Sequence, residues 1–221
     1  MDYLNLIDGP SAAIVLGGTV LGTILRCGVW RSLAAMRGLA SAMRNTFDPV
    51  AARTELALQI QDIHRDGLLR AEPRHFGDAE FDEVADTLIG RRSIGALLEK
   101  HRAFKEMRQM RSQVSVATFN QAAELAPVFG LAGTLVALSQ LPAEASSGAL
   151  LSTSIPMAIV TTFYGLVAAH LLFAPIAHFI QRKADQEELE RQKLIDWLAA
   201  ELTPDTARFD GAVSQREQIA A

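Results

Sequence analysis

Apolar residues in this chain gather into three runs, at 11–30, 125–141 and 155–180, while charged residues gather between and after them. A bilayer's hydrocarbon core is ~30 Å thick and takes about 20 apolar helical residues to cross. The pattern therefore predicts an all-α integral membrane protein with three transmembrane helices and a helical cytoplasmic domain. The middle run is short, but it extends helically on its N-terminal side through 114–124. The organisation expected is an external N-terminus (1–10), a first span (11–30), a charged helical domain (31–120) and a second span (121–142). A connector (143–153), a third span (154–180), a further helix (181–203) and a disordered tail (204–221) follow.

The charged segments carry their own helix signals. Asp48 followed by Pro49 reads as an N-cap with proline in the first helical position, and Leu56, Ile60 and Ile63 then share one face. Gly67 closes that helix and 68–77 reads as a loop. Asp78 starts a helix through Phe81, Val84, Ala85 and Leu88 to Gly90. Ser93 caps a longer one through Leu97, Leu98, Phe104 and Met107, which runs on into the second span. The mixed charges between Arg182 and Lys193 read as a solvated helix face.

Charge adds direction. Of the 21 Lys and Arg, fourteen lie between 31 and 111 and six lie from 182 onward, with none in 1–10 or 142–153. Basic residues stay on the cytoplasmic side, so the long loop and the C-terminus are expected there and the N-terminus and connector outside. No basic stretch precedes the first run and no small-residue cleavage site follows it, so it reads as a retained anchor.

Composition narrows the chemistry. No basic patch is interleaved with aromatics, which argues against nucleic acid. The single cysteine, Cys27, sits inside the first run and reads as a small buried residue. The five histidines have no convincing ligand spacing; His170 and His178 are only a pair, so neither a metal nor another cofactor is expected. The second and third runs hold no Asp, Glu or Lys, so an enzyme is not expected, and an ion crossing here would need a carboxylate from a partner. The runs do offer the hydroxyls of Thr134, Thr161, Thr162 and Tyr164. A membrane threonine can equally bond its own helix's carbonyl one turn back. Pro127 and Pro175 each remove a helical donor and read as bends or hinges.

Several segments resemble the MotA/TolQ/ExbB family. Ala126-Pro127-Val128-Phe129-Gly130-Leu131-Ala132-Gly133-Thr134-Leu135 is similar to one span of its flagellar stator branch. Val160-Thr161-Thr162-Phe163-Tyr164-Gly165, with Leu172-Phe173-Ala174-Pro175-Ile176-Ala177, is similar to the next. Asp8-Gly9-Pro10-Ser11, with Ile14-Val15-Leu16-Gly17-Gly18-Thr19, resembles an earlier span, and the similarity runs from about residue 5 to 195.

The resemblance implies an ion-conducting subunit of the bacterial inner membrane. Five copies would surround two copies of a single-span MotB-like partner whose aspartate carries the proton or sodium ion. Pro127 and Pro175 fall at the family's coupling prolines, and Thr134 and Thr162 at pore-lining positions, with Thr161 beside them. The stretch His64-Arg65-Asp66-Gly67-Leu68-Leu69-Arg70-Ala71-Glu72 resembles the segment that meets the flagellar rotor, which makes Glu72, Arg65 and His64 candidate rotor contacts. Stator subunits have four spans and this chain begins at the equivalent of the second, which implies a lost first span or a start upstream. Three spans are also the plan of TolQ and ExbB, energisers of outer-membrane processes and the alternative reading.

Overall fold

The computed structural model describes residues 9–44, 47–66, 78–91, 93–139 and 148–220. Every regular element among them is helical. α1 (Gly9–Cys27) includes a π-helical turn at Ala13–Gly17. α2 (Val29–Met43), α3 (Pro49–Asp66), α4 (Ala79–Arg91) and α5 (Ile94–Ser139) follow. α6 (Gly148–Val167) passes through a second π turn (Ala168–Phe173) into α7 (Ala174–Ala220). Stretches long and apolar enough to cross a membrane lie in Gly9–Cys27, Ile94–Ser139 and Pro156–Leu202, so the three spans are present.

The expected caps form. Asp48 Oδ1 accepts the N–H groups of Val50 and Ala51 at 2.9 and 3.2 Å, and Asp78 Oδ1 those of Glu80 and Phe81 at 3.1 and 3.2 Å. Ser93 Oγ accepts from Ala96 at 3.4 Å. Each satisfies first-turn donors that have no partner within the helix. The first apolar run is cut earlier than its hydropathy suggests. Gly28 adopts φ 88° and its N–H bonds Ile24 O at 2.8 Å, ending α1 before the apolar Val29-Trp30 pair. Such a φ is costly for any residue with a Cβ, so glycine sets the break.

The chain folds into two compact units, residues 1–43 with 111–183 and residues 44–110 with 184–221. Residues 31–43 and 111–120, grouped by sequence with the charged domain, thus fold with the apolar helices. The reason is visible in α2, where Ala35 packs with Phe119, Ala177 and Ile180. In the other unit Leu56, Ile60, Phe81, Val84 and Leu97 form a core with Ile195, Leu198 and Leu202. Leu97 and Phe104 take the inward positions on α5, and Leu98 and Met107 are 40% and 45% exposed.

Two boundaries also differ from the hydropathy pattern. α6 begins at Gly148, within the expected connector, and α7 continues helically to Ala220 through the expected tail. Extending an existing helix adds one hydrogen bond per residue without a new nucleus, so weak local propensity does not end it.

Candidate functional site

In the apolar unit the candidate site is built where α5 crosses α6. Glycines set the distance. A Cβ on Gly165 would lie 2.8 Å from Ala126 O and 3.0 Å from the Cα of Gly130, and one on Gly133 would lie 2.8 Å from the Cβ of Thr161. The two backbones therefore meet with almost nothing between them, as small residues permit in lipid. Pro127 sits in the same contact, its Cα 3.3 Å from that hypothetical Gly165 Cβ. It cannot donate to the carbonyl of Ala123, four residues back.

This crossing places the three threonines differently. Thr161 is 0% exposed, wedged against Gly133, and its hydroxyl donates to Ala158 O at 2.9 Å. Thr162 is partly exposed and donates to the same carbonyl at 3.3 Å. Thr134 is partly exposed and donates to Leu131 O at 2.6 Å. All three hydroxyls thus bond their own helix, and each oxygen keeps lone-pair capacity for a further partner.

Pro175 follows the π turn directly. The N–H of Ala174 bonds Ala169 O, five residues back, so the helix is wider just before the proline ring. π turns of this kind relieve the clash a helical proline makes with the preceding turn. Pro175 itself is exposed. Opposite the crossing, α1 offers Gly18 and Gly22, whose faces are covered by the Phe129 ring; a Cβ on Gly22 would lie 2.8 Å from it.

Sequence reasoning passed over a polar stripe on α1. Ser11, Thr19 and Thr23 are all buried, with Val15 between them at the same spacing of four. Thr19 and Thr23 donate to Val15 O and Thr19 O at 2.6 and 2.7 Å. Their spacing in an otherwise apolar run was the available signal. Arg26 pairs at 3.8 Å with Glu124, just before the second run, and both side chains are more than half exposed.

The charged unit corrects the reading of 182–193 as a solvated face. Arg191 is only 5% exposed and donates to both oxygens of Asp78, at 3.2 and 2.5 Å, and to Glu187 at 2.9 Å. Glu188 accepts from Arg108 at 2.8 Å, and Arg108 also pairs with Glu80. His101 is buried, with its Nε2 3.9 Å from Glu188 Oε1; neither atom has a hydrogen-bond partner. Burial alone would raise the Asp78 carboxyl, but the Arg191 hydrogen bond and charge, with the two capping N–H groups, bring it below the usual 3.8.

Of the candidate rotor contacts, Arg65 is exposed near the end of α3 and His64 lies one residue before it. Glu72 lies outside the described residues. Among the described residues no three His, Cys, Asp or Glu side chains gather as a metal site would require.

The sequence matches the model of the MotA/TolQ/ExbB proton channel family over residues 82–193, which covers both helices of the crossing and runs on into α7. The chain belongs to this family. It is a family of proton channels and not of enzymes. Among relatives, the chain is 23% identical over 198 residues to the chemotaxis protein PomA of Vibrio alginolyticus, covering 88% of this chain and 77% of PomA. It is 27% identical over 207 residues to motility protein A of Aquifex aeolicus, covering 86% and 77%. The fold is similar to that in the MotAB structure from C. jejuni, with TM-score 0.81, 18% identity, and 91% and 81% of the chains covered. The flagellar MotAB stator complex of Bacillus subtilis gives TM-score 0.80 at 18% identity, with 100% and 91% covered. The relatives, named as motility and chemotaxis proteins, place this MotA/TolQ/ExbB member on the motility side of the family and not on the TolQ/ExbB side, and the solved structures share its fold.

Proposed function

We propose that this chain is the ion-channel stator subunit of a bacterial flagellar motor. In this reading it works in the inner membrane with a single-span MotB-like partner, whose aspartate supplies the carboxylate that the apolar runs 125–141 and 155–180 lack. Several copies, five by family resemblance, surround that partner. The N-terminus lies in the periplasm and the charged unit in the cytoplasm, as the distribution of Lys and Arg supports.

The observation that carries the reading is the α5–α6 crossing. It holds Thr134 and Thr162 partly exposed on adjoining helices with Pro127 in the same contact, while Pro175 lies further along the chain in α7, after the π turn. An ion on the partner's carboxylate passes along these hydroxyl oxygens, and its departure changes the attraction between partner and helices. The helices respond at Pro127 and Pro175, and Glu72, Arg65 and His64 transmit the movement to the rotor.

Ion flux in cells expressing the chain with its partner tests this. A Thr162→Phe variant that assembles normally is expected to lose flux; wild-type flux in that variant would count against the reading.

A further inference from the structure

α2 begins one residue after the first span ends, and its two faces differ in kind. One face is committed to protein: Ala35, Leu39 and Ala42 pack with Phe119, Ala177 and Ile180, and Gly38 meets Ser115. The other face is bare. Trp30 is 84% exposed, Met36 60% and Met43 72%, with Val29 and Leu33 beside them. Trp30, Leu33 and Arg37 follow at helical spacing, as do Met36 and Met43, so they share the outward side.

Charge complements this apolar surface. No Asp or Glu occurs between residues 9 and 47, whereas Arg31 and Arg37 lie on α2 and are exposed. Neither arginine has an ion-pair partner among the described residues. A bare helix face with tryptophan, long apolar side chains and unpaired arginines, tethered directly to a span, matches the chemistry of an interfacial helix. Trp sits at headgroup depth, and arginine pairs bidentately with phosphate oxygens.

We infer that the outward face of α2 is a docking surface for anionic phospholipid headgroups: Trp30, Leu33 and Met36 enter the acyl boundary, Arg37 on the same face binds lipid phosphate, and Arg31, exposed in the helix's first turn next to Trp30, adds a second phosphate contact. This rests on α1 crossing the membrane and not on the stator reading, and no motility measurement enters its test. Gly28 makes it possible, since its φ of 88° releases α2 from the direction of α1. Each arginine near an anionic surface is expected to strengthen the preference by about fivefold.

The test uses the full chain in nanodiscs containing a minor fraction of brominated lipid, with Trp30 fluorescence read in a Trp197→Phe background. Brominated anionic lipid is expected to quench Trp30 more strongly than the same fraction of brominated zwitterionic lipid. The Arg31→Gln/Arg37→Gln variant should remove that difference, and high salt should reduce it. Equal quenching by both lipids in the parent would overturn the proposal. Absence of quenching by either would do so too, since a second copy or another protein would then cover the face. Native mass spectrometry of the unsubstituted chain, counting retained anionic against zwitterionic lipids with and without the two arginines, tests it independently of the Trp197 substitution. Equal retention there would also overturn it.

Discussion

Arg191 on α7 donates hydrogen bonds to both carboxylate oxygens of Asp78, and Asp78 in turn caps α4 with one of those same oxygens. One carboxylate thus closes a helix terminus and neutralises a buried guanidinium. Replacing Asp78 with alanine leaves Arg191 buried with Glu187 at 2.9 Å and the more distant Glu80 at 3.9 Å as its acidic partners, and strips the first turn of α4 of its acceptor. The expected loss is about 3 kcal/mol, read as a lowered unfolding midpoint of the purified protein in detergent. Lys193→Ala, which breaks an exposed pair with Glu190, should change it by less than ~0.5 kcal/mol.

The same contact fixes a pH dependence. The folded carboxyl of Asp78 titrates below its usual 3.8, so the unfolded chain binds the proton more readily. Its stabilising contribution is therefore complete above that usual value and is lost as pH falls through the lower folded one. Thermal unfolding measured from neutral pH downward should show a steeper acid loss in the parent than in an Asp78→Asn variant. Superimposable slopes would contradict this.

At the α5–α6 crossing, Gly165→Ala is expected to destabilise by about 1–3 kcal/mol, because the new methyl meets Ala126 O and Gly130 with no side chain able to yield. Gly17→Ala is the control, as nothing lies within 4 Å of its added Cβ. Size-exclusion profiles of detergent extracts after graded heating compare the two.

The threonines should separate in function as they do in burial. Thr161→Val removes a hydroxyl that already bonds its own helix inside a closed contact, so ion flux should stay close to the parent's, with a stability cost of about 1 kcal/mol at most. Thr162→Phe and Thr134→Phe, at partly exposed positions, should lose flux without losing assembly. Flux in whole cells and complex yield after purification, measured together, check both.

Much of the fold could be read from local pattern because its causes are local. Asp48, Asp78 and Ser93 each act on N–H groups within three residues, and the apolar runs report on lipid whatever their neighbours. The break at Gly28 was hidden because the hydropathy of Val29 and Trp30 continues through it. The buried role of Arg191 and Glu188 was hidden for a different reason. Their partners, Asp78 and Arg108, are about 80 or more residues away, and helical spacing alone assigns a charged run to solvent. At the candidate site the motif identified Thr161 and Thr162 together, whereas their difference in burial depends on Gly133 of another helix.

Swimming in a strain lacking this gene, with flagellar filaments counted in the same cells, tests the stator function most directly. Filaments that are present but paralysed, with swimming restored by the intact gene and not by a Pro175→Ala variant of equal abundance, is the predicted result. Normal swimming accompanied by detergent sensitivity or poor iron uptake would contradict it.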